Sequence, residues 1–383
     1  GIELGKYLRV NNLYDNFMEF HHYIEDLKGK HDKKNVIIGC EPTGHYWLNI
    51  FEYLREYYDF VMVNPYHVKR AKELDDNNPT KNDKKDAYVI ARLVSQGRFA
   101  KPIIKEGKFA RIASGKKILD DISKEKAKLK NQMINWSDRY FPELQIIYKK
   151  FNCKEIVSIL KYALTPYMVN NMSSEQILSV LREGNSTASI KKAERIKKVA
   201  VNSIGIVDNK YSRKEIMRIV KRYEELIIEE KEIVSEIMEE LKEVEYALSI
   251  IEIKGVGEKQ VISLIAECGD INNYDHYKQI VKLAGLSLKE NSSGIKKGKH
   301  RISKRGRPGL RKTLKSIAIT LVRSNEAFQN LHKYYTTERE RNLTKLISLN
   351  AIINKFIRIM FRMVKSNTKF DISKMVSESL ILN

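Results

Sequence analysis

The chain has 383 residues, with 70 lysines and arginines against 48 acids and a formal charge of +22. That length supports a core without disulfide staples, and Cys40, Cys153 and Cys268 lie too far apart for a paired zinc site, which points to reduced thiols in a cytoplasmic protein. With no apolar run of membrane-spanning length and no basic-then-apolar leader at Gly1, neither insertion nor export is expected, and the basic surplus favours nucleic acid as partner.

In chain order, residues 1–6 read as a strand end and turn, and 17–27 as an amphipathic helix. Residues 36–40 read as a buried strand, 46–57 as a helix and 60–64 as a second strand. Strands alternating with helices predict a largely parallel α/β sheet. A strand that stops on Glu41 places that acid at the carboxyl edge, where such folds build their sites. After the polar loop 75–86, residues 87–94 have helical periodicity, so Asp83 and Asp86 share one face of the first turn.

Glu3, Glu41, Asp83 and Asp86 thus gather four acids from two strand ends and one helix start. Oxygen ligands of this kind suit Mg²⁺, which activates nucleophiles and stabilises leaving oxygens in phosphodiester chemistry. Taken singly, each acid has a simpler reading: Asp83 and Asp86 complement a helix dipole, Glu41 accepts in a turn, and Asp75 and Asp76 compete as ligands.

Residues 116–140 predict one long, basic, exposed helix, stopped by Phe141-Pro142, that either lies along nucleic acid or packs on one side. Residues 151–210 read as several short helices, with loops at 165–166 and 183–187. Between 216 and 251, Val220, Ile227, Val234, Leu241 and Leu248 repeat every seven residues, broken in the interleaved row only by Glu230. This coiled-coil seam needs a partner, either the 116–140 helix or another protomer.

Ile253-Lys-Gly-Val-Gly257 has the form of a helix-hairpin-helix turn in which Gly255 and Gly257 free backbone amides for a phosphate; the alternative is an ordinary interhelical turn. Residues 291–325 contain no acid, while Lys296, Lys297, Lys299, Arg301, Lys304, Arg305, Arg307 and Arg311 crowd one glycine-rich segment suited to a phosphate backbone. Ser293 by itself reads as a turn residue. Two further helices are expected, at 310–323 and 343–364.

Glu41-Pro-Thr-Gly-His-Tyr-Trp47, Val63-Asn-Pro-Tyr-His-Val68 and Thr80-Lys-Asn-Asp-Lys-Lys-Asp86 with Ala91-Arg-Leu93 resemble the first domain of the Piv-like DEDD transposases of insertion sequences. Lys282-Leu-Ala-Gly-Leu286, Ser293-Gly294, Gly298-Lys-His-Arg-Ile-Ser-Lys-Arg-Gly306 and Leu310-Arg-Lys312 resemble their carboxyl-terminal domain. The resemblance implies a bridge-RNA-guided recombinase with a RuvC-like, ribonuclease-H-type first domain. By it, Glu41, Asp83 and Asp86 fall on the second to fourth acids of a metal-binding tetrad, and Glu3 stands where the family carries aspartate. Ser293 falls on the nucleophile that forms a phosphoserine link to DNA, with Ser292 the neighbouring choice. Implied partners are donor and target DNA, a structured guide RNA and further copies of the chain in a dimer or tetramer, whose sites combine the acids of one subunit with the serine of another. The family also carries a strand hairpin before its first helix, where residues 7–10 here pass directly to Asn11.

The expected organisation is α/β followed by all-α: a RuvC-like DEDD domain at 1–110, a helical and coiled-coil region at 111–250, and a serine transposase domain at 251–383. Two rivals stand beside it. One is a RuvC-type junction nuclease using water, which needs the acids and not Ser293; the other is a non-catalytic nucleic-acid-binding protein.

Overall fold

The computed structural model describes residues 3–42, 44–75, 83–102, 104–149, 151, 153–289 and 301–371. Two compact units divide the chain, Gly1–Ile104 and Lys105–Asn383.

The first unit runs α1 (Tyr14–Lys30), β1 (Ile37–Cys40), α2 (Trp47–Leu54), β2 (Asp59–Met62), α3 (Pro65–Asp75) and α4 (Asp83–Ser95). β1 and β2 pair in parallel, Ile37 opposite Asp59 and Cys40 opposite Met62, so the crossover through α2 makes one βαβ unit as the alternation predicts. Among the described residues the sheet has these two strands. The strand expected at 1–6 is absent from residues 3–6. That segment instead lies on α1, where the Tyr23 hydroxyl accepts from Lys6 N at 2.7 Å and Gly5 packs against Tyr23 and Leu27. Glu3 is exposed.

Core contacts explain why α3 and α4 sit together. Val63, Val68, Ala71, Val89 and Leu93 form one buried cluster, closing β2 against both helices. Gly39 sets the distance to the sheet: a Cβ there would come 2.5 Å from Val94 Cγ2 and 3.2 Å from Ile90 Cγ2. A glycine within a strand therefore serves the close approach of α4.

Among its described residues the second unit is helical apart from one hairpin. It opens with α5 (Gly107–Tyr140), α6 (Leu144–Ile147), α7 (Lys154–Lys161), α8 (Pro166–Asn170), α9 (Ser174–Gly184), α10 (Ile190–Val201) and α11 (Lys210–Lys242). It continues through α12 (Glu245–Ile251), α13 (Glu258–Cys268), α14 (Tyr277–Leu283), the strands β3 (Leu288–Lys289) and β4 (Arg301–Ile302), α15 (Pro308–Ser324), α16 (Glu326–Lys333) and α17 (Lys345–Ser366). A π-helical turn, Tyr334–Glu338, follows α16.

Four expectations are corrected. α5 starts nine residues before position 116, and of the two readings of it the packed one holds: Ile112, Ile122, Leu129, Met133, Trp136 and Tyr140 are buried along it. Pro166 opens α8 at its first turn, where its missing N–H costs nothing, instead of marking a loop. α16 is a third carboxyl-terminal helix between the two expected. The heptad seam stops at Leu241, because the helix ends at Lys242 and Leu248 is 42% exposed on the next one.

The seam's partner is α5 of the same chain, antiparallel: Arg111 meets Glu240 at 2.7 Å, Glu125 meets Arg222 at 2.9 Å and Arg139 meets Glu215 at 3.0 Å. Glu230, the break in the seam, accepts Lys126 of α5 at 3.0 Å and Lys259 of α13 at 2.7 Å. Burial by itself would raise the Glu230 carboxyl, but these two hydrogen bonds hold it below the usual range. A single polar residue in an apolar seam fixes register, here across three helices. Among the described residues, no helix is long and apolar enough to cross a membrane.

Candidate active site

The first unit holds an open cavity of about 780 Å³ lined by Glu41 and Asp86 together with Gly39, Cys40, Ile90 and Val94. Glu41 follows the last residue of β1, whose end is fixed by the hydrogen bond from Val63 N to Cys40 O at 2.8 Å. Asp86 comes from the first turn of α4, held to β1 by the Gly39 contact. Asp83 begins the same helix, and its side chain lies outside the described residues. Glu3 does not line the cavity.

Asp86 Oδ1 is buried and accepts no hydrogen bond; its charge is met by the Lys72 ammonium of α3, in ion-pair contact without hydrogen-bond geometry. Lys72 carries no signal in sequence, since only the packing of α3 on α4 brings it to the acid. Cys40 also lines the cavity, but burial, and then the neighbouring Glu41 charge, push its thiol up to about 12. The thiol stays protonated at neutral pH, leaving the carboxylates as the cavity's anionic donors. Two carboxylates lining one cavity fit a hard divalent cation, which would have to displace the Lys72 ammonium from Asp86. Among the described residues, no three ligating side chains cluster.

The flanking motifs have local structural reasons. Asn64 Oδ1 accepts from Tyr66 N at 2.9 Å and Pro65 opens α3, so Asn-Pro-Tyr-His is a helix start. Gly44 takes φ +67°, turning the chain after Glu41, and leaves Tyr46 71% exposed with its ring stacked on His45.

In the second unit, β3 and β4 pair antiparallel, Leu288 opposite Ile302, and form the base of a hairpin. Ser293, Ser292, Lys296, Lys297 and Lys299 fall beyond that base, outside the described residues. The base itself is pinned on the Lys282–Leu286 turn. Lys304 N donates to Gly285 O at 2.9 Å, Arg307 N to Leu283 O at 2.7 Å and Arg311 Nη1 to Ala284 O at 2.8 Å. Gly306 is needed here: at φ +155° its Cβ would lie 2.4 Å from Leu283 O.

The basic residues divide accordingly. Arg301, Lys304 and Arg305 are exposed at the hairpin base. Arg307 and Arg311 are half-buried and direct guanidinium donors to the carbonyls of Glu267 and Ala284. At the helix-hairpin-helix turn, Gly257 N donates to Gln260 Oε1 at 3.0 Å, and a Cβ on Gly255 would meet Thr320 O at 3.0 Å. The turn is thus packed on α15, with the Gly257 amide already partnered. Sequence reasoning also missed Glu267, whose carboxylate fills the space a side chain at Gly309 would take, against the first turn of α15.

Residues 4–142 match the family model of DEDD transposases of the IS110 group, and residues 248–333 match the transposase family IS116/IS110/IS902. No curated protein matches the chain. The acid-lined cavity and the basic hairpin therefore sit in two domains of a DNA transposase, an enzyme of DNA recombination. More narrowly, both matched stretches are those of IS110-type transposases, the amino-terminal one of the DEDD kind, such as insertion sequences encode.

Proposed function

We propose that the chain is the RNA-guided recombinase of its insertion sequence, cutting and rejoining DNA with an acidic set in a RuvC-like domain and a serine nucleophile. The observation that carries this reading is the convergence of Glu41 and Asp86 on one cavity within the stretch matched to DEDD transposases.

Glu41 and Asp86, with Asp83 one turn away, would hold Mg²⁺, which supplies Lewis-acid stabilisation of charge on a phosphodiester; Glu3, outside this cavity, enters the set only through the family resemblance. The Ser293 oxygen attacks phosphorus, the P–O bond to the adjacent deoxyribose breaks, and the released hydroxyl leaves with a proton. The resulting phosphoserine keeps the bond energy for rejoining. Arg301, Lys304 and Arg305, exposed at the hairpin base, stabilise the charge that develops on the phosphate oxygens. Lys296, Lys297 and Lys299 follow the DNA or RNA backbone, adding affinity without reading sequence. Arg307, Arg311, Gly255 and Gly257 support this surface from within the packing described above. A structured guide RNA selects donor and target by pairing, and the protein works as a dimer or tetramer in the cytoplasm.

The test is cleavage of a labelled insertion-end duplex by the protein with its co-purifying RNA. Glu41→Gln and Asp86→Asn are expected to abolish Mg²⁺-dependent cleavage while salt-sensitive DNA binding persists. Undiminished cleavage by both variants would refute the role of the acids.

A further inference from the structure

The outward face of α11 carries a charge pattern that neither family match covers, since residues 143–247 lie between them. The inward face is consumed: Ile216, Ile219, Val220, Tyr223, Leu226, Val234, Ile237 and Leu241 are buried. On the opposite face, Lys214, Arg218 and Lys221 are exposed in the first half of the helix, and Glu232, Glu236 and Glu239 are exposed in the second. Each trio has i, i+4, i+7 spacing, so each forms a single stripe, and both stripes lie on one face. Among the described residues, Lys214, Arg218, Lys221, Glu232 and Glu236 make no ion pair; Glu239 has a pair within its own helix, to Lys242 at 2.6 Å. Between the halves, Ile228 is 57% exposed on the same face.

A basic half followed by an acidic half along one helix face is complementary to itself when reversed. We propose that this face joins two copies of the chain, α11 against α11 antiparallel about a two-fold axis. Lys214 of each copy then faces Glu239 of the other, Arg218 faces Glu236 and Lys221 faces Glu232. These pairs nest around one centre between Glu225 and Ile228, which brings Ile228 beside its symmetry mate. A two-fold interface requires this self-complementarity of a single patch. A surface built only for nucleic acid has no use for the acidic half, which would repel the same backbone. The inference gives a surface to the oligomer of the preceding section and rests on that reading only for the expectation that copies associate.

Charge swapping tests it. The variants K214E/R218E/K221E and E232K/E236K/E239K change only exposed positions, and circular dichroism checks that each folds. Sedimentation velocity on nuclease-treated, salt-washed protein is expected to show wild-type dimers. Each variant alone should self-associate about 100-fold more weakly, since like charges face each other across the interface. Their equimolar mixture should recover association to within roughly tenfold of wild type, because the all-acidic face then meets the all-basic one. Self-association of each variant at the wild-type level, or a mixture no better than its components, overturns the proposal. So does loss of duplex DNA binding in the first variant with self-association unchanged, which would assign the basic half to nucleic acid. Cleavage of the labelled duplex, measured in parallel, reports separately on the transposase chemistry.

Discussion

Replacing Gly39 by alanine tests how the acidic cavity is held together. The new methyl would sit 2.5 Å from Val94 Cγ2 and 3.2 Å from Ile90 Cγ2, both on α4. Val94 is β-branched in a helix, so its χ1 has little freedom to swing aside, and relief must come from moving α4 off β1. Overpacking of this kind costs about 1–3 kcal/mol, while the lost backbone freedom of glycine in the unfolded chain returns about 0.4–1 kcal/mol. The net is a destabilisation of roughly 0.5–2 kcal/mol, a few degrees in the melting of the first unit. Because α4 carries Asp86, the same displacement should weaken Mg²⁺-dependent cleavage beyond what lost stability explains. Gly39→Ala and Val94→Ala, singly and together, read by denaturant melts and by cleavage, form a double-mutant cycle. Val94→Ala should restore much of both losses, with a coupling energy above about 0.5 kcal/mol. Strict additivity, or a neutral Gly39→Ala, would refute the close approach as the reason for this glycine.

Three further outcomes are expected. Lys72→Met removes the cation lying against Asp86 and should tighten Mn²⁺ binding by roughly tenfold in calorimetry, if ammonium and metal compete for one carboxylate. Gly306→Ala puts a methyl into backbone atoms that cannot yield, Leu283 O at 2.4 Å and Gly285 N at 2.5 Å; it should cost more than about 3 kcal/mol, seen as early loss of hydrogen-exchange protection around 283–311. Glu230→Ala strands Lys126 and Lys259 and should cost roughly 1–3 kcal/mol, less than a fully buried pair because Lys259 is 55% exposed. Its folded carboxyl is depressed, so the wild-type contribution is present above the unfolded-state pKa and is lost as pH falls through the lower folded value. Acid titration of stability should therefore be shallower in Glu230→Ala than in wild type.

Legibility in the sequence followed the range of the interactions. Glu41 at a strand end and Asp83 and Asp86 on one helical turn came from local periodicity, and all three are placed on those elements here. The βαβ pairing followed from alternation. Lys72 beside Asp86 did not, because it depends on how two helices pack. Glu230 was visible as a flaw in the heptads, but its reason required Lys259, on a helix that begins after the seam has ended. Gly255 suggested a phosphate turn because glycine pairs recur in such turns, and its contact with α15 lies about sixty-five residues downstream. The start of α5 was missed because Phe109 and Ile112 lie in a stretch rich in glycine and lysine, and the core they join is one that α5 shares with α11 and α13.

The most direct measurement is the identity of the atom joined to DNA. Mg²⁺ reaction of the RNA-loaded protein with a labelled insertion-end duplex, denatured and digested for mass spectrometry, should give one covalent peptide carrying a phosphodiester on Ser293. The adduct should vanish in Ser293→Ala, persist in Ser292→Ala and fail to form in Glu41→Gln. Strand cleavage that proceeds in Ser293→Ala with no adduct would make water the nucleophile and contradict the serine mechanism.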